Sequence, residues 1–332
     1  MEERDLTTDV WRIDAEEFPA DAPLAERARF LLRYAILAPS SHNSQPWEFV
    51  VEDGRIEIHA VEERWLEAAD PDNRELYVSL GCAVENLCIA AEQFGFDFEI
   101  AYHDDAVPVV VMLRPDSDTS SHRPPDLFAQ ITDRSTNHQL FRDESLGDSV
   151  RDELRDCVLE DDVTLELIDD SERKGSIAAL QAEADRLQMD HPDYREELGY
   201  WMGIGALGDS WLKARIGQAV VTHLDIGDRE AKKNSKLIQS TPVVGVLTTN
   251  SDDPSARVKT GRVFERAALI MSSNGGAVHP MSQILERPEM REDLASVLDG
   301  DGELPQQLFR LGYPQEEQGH TPRWPLEKFL VE

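Results

Sequence analysis

Two long apolar helical patterns, far apart in the chain and each stopped by glycine, constrain the fold more than any other feature. In the first, Leu76, Leu80, Ala83/Val84, Leu87, Ala90/Ala91 and Phe94 fall on one helical face, and Gly95 stands where a C-terminal cap belongs. The second, SARVKTGRVFERAALIMSSNGG (Ser255–Gly276), ends at Gly275-Gly276. A continuous apolar run accompanies each helix: VPVVVML (Val107–Leu113) with the first, TPVVGVLTT (Thr241–Thr249) with the second. Such runs suit strands covered on both faces. The pattern points to two related halves, each built on a buried strand and a long helix.

The remaining elements fit between these. Leu24–Ala38 has helical spacing, and WEFVV-EDG-RIEIHAV (Trp47–Val61) reads as two strands around an Asp-Gly turn. SVRDELRDCVLE and Ser171–Met189 read as helices, TLELID as extended and QQLFRLGYP (Gln306–Pro314) as a last strand. The Pro-, Ser- and Asp-rich RPDSDTSSHRPPD (Arg114–Asp126) is the candidate boundary, placing one half at 1–118 and the other at 119–332. Tyr200–Val221 is aromatic and glycine-rich and holds a formal G-x-G-x-x-G at Gly203, Gly205 and Gly208. A dinucleotide loop needs a preceding strand, whereas the acidic PDYREELGYW comes first. A mobile flap exposing Trp201 and Trp211 and a plain helix pair are the other two readings.

Charge narrows the partners. Asp and Glu number 66 against 33 Lys and Arg, a net charge of −33, and only seven of the cations are lysines. The acidic residues are spread along the chain, and at 40% hydrophobic content they describe a folded protein rather than a disordered one. They would repel nucleic acid. A cytoplasm with molar salt accounts for them, since the Debye length at 1 M is about 3 Å. No charge-free apolar run approaches the roughly 18 residues that cross a bilayer, and MEERDLTTDVW has no signal-peptide character. A cytoplasmic location without membrane partners is expected. Cys82, Cys88 and Cys157 form no disulfide or zinc pattern and read as buried thiols.

Four polar segments carry the candidate chemistry. PSSHNSQPW (Pro39–Trp47) concentrates short hydrogen-bonding side chains after an apolar helix. An ordinary capped loop would look the same. DRSTNHQLF (Asp133–Phe141) sets Arg134, Thr136 and His138 at alternate positions, able to converge on a phosphate or to lie on a surface loop. TPRWP (Thr321–Pro325) holds Arg323 between prolines, which reduces the entropy lost in aiming it. VHPMSQ (Val278–Gln283) follows the Gly-Gly stop and would present backbone amides to a ligand or simply turn between helices.

Together these segments resemble the FMN-dependent nitroreductase family. PSSHNSQPWEFVV is similar to the family's Pro-Ser-Ser-x-Asn-x-Gln-Pro-Trp segment and first strand. RSTNHQLF resembles its phosphate motif, PRWP its terminal basic-Pro segment, and LGCAVENLCIAAEQFGF its central helix. The order differs from ordinary members, which carry the phosphate motif first and bind each FMN between two subunits. Here each motif occurs once, the Asn-Gln-Trp segment in the first half and the others in the second. That order resembles the Acg-like single-chain subgroup.

The resemblance implies an α+β, nitroreductase-like fold, with two tandem halves forming an intramolecular pseudo-dimer, each a mixed β-sheet flanked by long helices. The similarity skips about 171–235, a lid-like helical insertion. One FMN would lie between the halves. Pro39, Ser40, Ser41 and Asn43 would border the ring or ribityl chain, and Arg134, Thr136, His138 and Arg323 would hold the phosphate. Pro280, Met281, Ser282 and Gln283 would cross the reactive edge, with a backbone amide near Ser282 bonding N5. Gln45 and Trp47 would brace the loop, and Lys259 would touch the ribityl chain or ring. His138 stands where relatives have Arg or Lys, so partial charge at neutral pH is expected of it. The implied activity passes electrons from NADH or NADPH through the flavin to a nitroaromatic, quinone or similar small acceptor. The competing readings are an FMN-storing protein with an occluded flavin, another flavin chemistry on a specific metabolite, and a flavin-free interaction protein. A monomeric pseudo-dimer or a homodimer fits equally.

Overall fold

The computed structural model describes residues 5–103, 107–115, 123, 126–208, 211–223, 226–300 and 303–331. The first stretch holds helix α1 (Leu24–Ala35), strands β1 (Trp47–Glu52) and β2 (Arg55–Ala60), helix α2 (Arg74–Gln93) and strands β3 (Phe96–Tyr102) and β4 (Val109–Pro115). Then come α3 (Leu127–Asp133), α4 (Asp148–Asp156), β5 (Val163–Ile168), α5 (Ser171–Asp190), α6 (Pro192–Gly203), α7 (Trp211–His223) and α8 (Gly227–Ser240). The chain closes with β6 (Val243–Thr249), α9 (Pro254–Ser273), β7 (Ala277–Pro280), α10 (Pro288–Ala295), β8 (Leu304–Gly312) and β9 (Leu330–Val331). The proposed boundary at 118/119 lies outside the described residues.

Both glycine stops act as read. Gly95 and Gly275 hold φ of 77° and 71°, the left-handed conformation that closes a helix and that a β-carbon would disfavour. The β1–β2 hairpin turns at Asp53-Gly54, both left-handed, as a two-residue hairpin loop requires.

Two sheets result. The first runs β3-β4-β2-β1-β9 and is mixed, because β9 lies parallel to β1, with Phe49 N donating to Phe329 O at 2.7 Å. The far end of the chain thus completes the first sheet. The second runs β5-β6-β8-β7 and its strand pairs are antiparallel; a parallel bridge, Thr136 to Val278, adds an isolated rung at β7.

Helices α2 and α9 cross between the sheets with backbone in contact. A β-carbon on Gly81 would strike the Val258 carbonyl oxygen and lie 2.9 Å from the Gly261 Cα, and one on Gly261 would strike Val78. Beside the crossing, buried Glu85 pairs with Arg123 at 2.5 Å, Arg262 at 2.9 Å and Arg266 at 3.1 Å. Three cations hold its carboxyl well below the usual range despite burial. The three cysteines are buried and unpaired.

The Tyr200–Val221 segment is a helix pair, α6 and α7. Gly199 and Gly203 face α7, where added β-carbons would come within 2.5 Å of Thr222 Oγ1 and Gln218 Oε1. Gly205 and Gly208 make the turn between the helices, and a helix precedes them, which excludes a dinucleotide loop. Trp201 is buried edge-on to Trp324 rather than exposed; the Trp211 side chain lies outside the described ones. Among the described residues no helix is long and apolar enough to cross a membrane.

Candidate functional site

A cavity of about 580 Å³ opens where the first-half loop, the second-half sheet edge, the α5–α8 helices and the C-terminal segment meet. Twelve of the thirteen residues expected to contact the flavin line it. Lys259 does not: it reaches Asp162 at 2.7 Å and lies over the Tyr102 ring, so the expected ligand contact is replaced by an ion pair away from the cavity.

The Pro39–Trp47 loop is held by its own side chains. Ser40 Oγ accepts from Gln45 N at 2.9 Å, and Gln45 Nε2 donates to Asn43 O at 3.1 Å. Asn43 Nδ2 donates to Ala206 O at 2.8 Å and to Pro322 O at 2.7 Å, joining the loop to the α6–α7 turn and the C-terminal segment. These bonds fix three side-chain-bearing residues, His42, Asn43 and Gln45, at φ of 49°, 54° and 50°. Each such conformation costs on the order of 1 kcal/mol and persists only where the surroundings enforce it. Gln45 and Trp47 are fully buried and lie behind the cavity wall, as braces.

One corner of the cavity carries excess positive charge. Arg134 and Arg323 are both almost completely buried, yet among the described residues a single carboxylate, Glu265, faces them, 3.5 Å from Arg134. Burial pushes Glu265 up to about 7 against the pull of Arg134. Burial, and then Arg134, push Arg323 down to about 9. Arg323 otherwise donates to neutral oxygens: Thr321 Oγ1 at 2.5 Å and Ala38 O at 3.2 Å. The Nε atoms of both arginines have no hydrogen-bond partner. Two guanidinium ions desolvated against one half-neutralised carboxyl make a site for an anion. Trp11 floors this corner, stacked 4.1 Å from His320 and 5.1 Å beneath the Arg323 guanidinium.

His138 lines the same cavity, against β7. Its Nδ1 is 2.8 Å from His279 Nε2, and His279 in turn accepts from buried Arg310. Surrounding protein, with Lys233 and Arg310, pushes His138 down to about 4. The charge expected of it is thereby disfavoured, although the side chain itself is exposed.

The lining also holds two carboxyls, Glu75 buried and Glu286 partly buried. Ser41 Oγ donates to Glu75 Oε2 at 2.6 Å, while Glu75 Oε1 has no partner. Glu286 accepts from Gln188. Burial raises both carboxyls, and it raises nearby Asp70 to about 8, with the Glu75 charge adding to the effect. Among the described residues no group of acidic, His and Cys side chains could hold a metal ion. Sequence reasoning missed Trp11, Glu75, His279, Glu286 and His320. None of these forms a motif; only His279, inside the VHPMSQ stretch, had a signal near it.

No family model matches the chain. A Mycobacterium tuberculosis protein carrying the provisional name NAD(P)H nitroreductase acg is 25% identical over 319 residues, covering 90% of this chain and 93% of that protein. Another provisionally named NAD(P)H nitroreductase of that organism is 26% identical over 331 residues, covering 92% of this chain and 93% of its own length. Among solved structures, a nitroreductase with bound FMN from Desulfitobacterium hafniense aligns at a TM-score of 0.41 and 12% identity, over 62% of this chain and 97% of that one. The FMN-dependent nitroreductase NfnB of Mycobacterium smegmatis, in complex with NADPH, aligns at 0.39 and 16%, over 56% and 86%. In sequence the chain is thus similar to proteins provisionally named NAD(P)H nitroreductases. Within them it is similar, along nine-tenths of its length, to the acg protein.

Proposed function

We propose that the chain is an FMN-binding oxidoreductase that takes electrons from NADH or NADPH and passes them to a small acceptor such as a nitroaromatic or quinone. The observation that carries this reading is the buried Arg134–Arg323 corner, whose excess positive charge suits the dianionic phosphate of FMN. The motif resemblance supports the same cofactor, and the relatives' names support NAD(P)H as the electron donor.

In this reading Arg134, Thr136 and Arg323 hold the phosphate, with Thr321 orienting Arg323. Pro39, Ser40, Ser41 and Asn43 border the ring or ribityl chain from a loop fixed by Asn43 and Gln45. Pro280, Met281, Ser282 and Gln283 border it from the end of β7, where the Ser282 and Gln283 amides open a helical turn and so lack intrahelical partners. His138 offers a neutral donor rather than a charge. Bound there, FMN would supply two-electron transfer at its N5. The protein's share is to position the cofactor, keep bulk water out and leave one face open for the exchanging partner.

The reading also takes the chain as a pseudo-dimer of halves divided near residue 118, working in a cytoplasm of high salt. A second reading, FMN storage, has one observation in its favour: Asp185, Gln188, Met189, Tyr194 and Lys233, from the 171–235 insertion, form a wall of the cavity. The visible spectrum of the purified protein in high salt, before and after anaerobic NADH or NADPH, separates the two. Flavin absorbance that bleaches supports the reductase, and flavin that persists supports storage. No flavin after reconstitution with FMN would overturn both.

A further inference from the structure

Arg310 sits in the middle of β8, fully buried, and donates to His279 Nδ1 from both Nε, at 3.1 Å, and Nη2, at 2.7 Å. It is pinned there by Nη2 bonds to the Asn137 and Gln139 carbonyl oxygens, each at 3.2 Å. A guanidinium has no lone pair to offer, so His279 Nδ1 must be bare and the His279 proton must sit on Nε2. That Nε2 is 2.8 Å from His138 Nδ1, which therefore accepts. The proton of His138 is left on its own Nε2, the one ring nitrogen not engaged with His279, on a side chain that lines the cavity.

We infer that Arg310, His279 and His138 form a one-way hydrogen-bond relay that presents His138 Nε2–H as a fixed, uncharged donor, creating a subsite for an oxygen acceptor on the molecule that exchanges in the cavity. The acceptor class is a carbonyl, quinone, nitro or carboxylate oxygen. Naming the exchanging molecule as substrate rests on the flavin reading above; the relay itself does not.

The relay resists protonation for a structural reason. A proton added to His138 Nδ1 would face the Nε2–H of His279, and His279 cannot reverse because Arg310 occupies its other nitrogen. Nearby charges oppose a cation as well: Arg310 from β8 and Lys233 from α8, the latter paired with Glu230 at 3.1 Å. The donor therefore stays the same through the range in which an ordinary histidine titrates.

The test combines ¹⁵N NMR of histidine-labelled protein, carrying whatever flavin it retains, with binding of 4-nitrobenzoate as the oxygen-bearing probe. The relay requires His138 to show a protonated Nε2 and bare Nδ1, unchanged from pH 5.5 to 8. In His279→Phe, His138 should regain an ordinary titration near 6.5. His138→Phe should weaken the probe about tenfold, and by more than it weakens flavin. His138 titrating in the unsubstituted protein, or carrying its proton on Nδ1, would overturn the relay. Flavin affinity falling tenfold while probe binding holds would assign the donor to the cofactor and overturn the subsite. These outcomes are distinct from failure of the flavin reading, because the NMR readout and the probe titration need no flavin.

Discussion

Substituting Gly81 by Ala tests the idea that the two halves are locked by backbone contact between α2 and α9. The added methyl would meet the Val258 carbonyl oxygen and lie 2.9 Å from the Gly261 Cα, and neither is a side chain that can rotate away. Restoring ordinary contact of about 3.5–4 Å requires the helices to part by on the order of 1 Å. Overpacking of this kind costs about 1–3 kcal/mol, here at the upper end, while Ala gains about 1 kcal/mol over Gly in a helix interior. The net loss is about 2 kcal/mol, a fall of about 3 °C in Tm for a chain of 332 residues. Gly175→Ala on α5 is the matched control: nothing lies within 4 Å of its added β-carbon, so the propensity gain should appear alone and raise Tm. Calorimetry of both variants decides the matter. If Gly81→Ala melts at or above the unsubstituted protein, the backbone-contact reasoning is wrong. Because α2 also lines the cavity through Glu75, Val78, Ser79 and Cys82, the same variant should weaken ligand binding there.

Arg323→Met should lower FMN affinity at least tenfold in a flavin titration, and unchanged affinity would remove the phosphate from that corner. Asp70, raised to about 8, is protonated in the native protein, so its stabilising contribution is present below the unfolded carboxyl pKa and is lost as pH rises through about 8. Asp70→Asn should accordingly compare better with the parent at pH 9 than at pH 6 in paired melts. His42 and His138, both lowered to about 4, work the other way: their contribution is present above about 6.5 and is lost as pH falls toward 4. Acid melts with and without His42→Phe should converge in that window. Raising KCl from about 0.01 to 1 M shortens the Debye length from about 30 to 3 Å, so Tm should climb steadily for a chain of net charge −33. A flat Tm would detach the charge from salt adaptation.

What could be read along the chain was what neighbouring residues decide. The α2 and α9 faces follow from apolar spacing, their ends from Gly95 and Gly275, and the β1–β2 hairpin from Asp53-Gly54, because each depends on backbone freedom and periodicity within a few residues. The polar motifs were legible as candidates for the same reason, since Arg134, Thr136 and His138 alternate along one short segment. The tertiary structure alone decided which candidates act together. It brought Arg323 to Arg134 across most of the chain, closed the first sheet with β9 and sent Lys259 to Asp162. It also disfavoured a charge on His138, by setting His279 and Arg310 behind it. Desolvation, charge repulsion and the direction of a hydrogen bond are set by what lies across space, and no local pattern of residues encodes them.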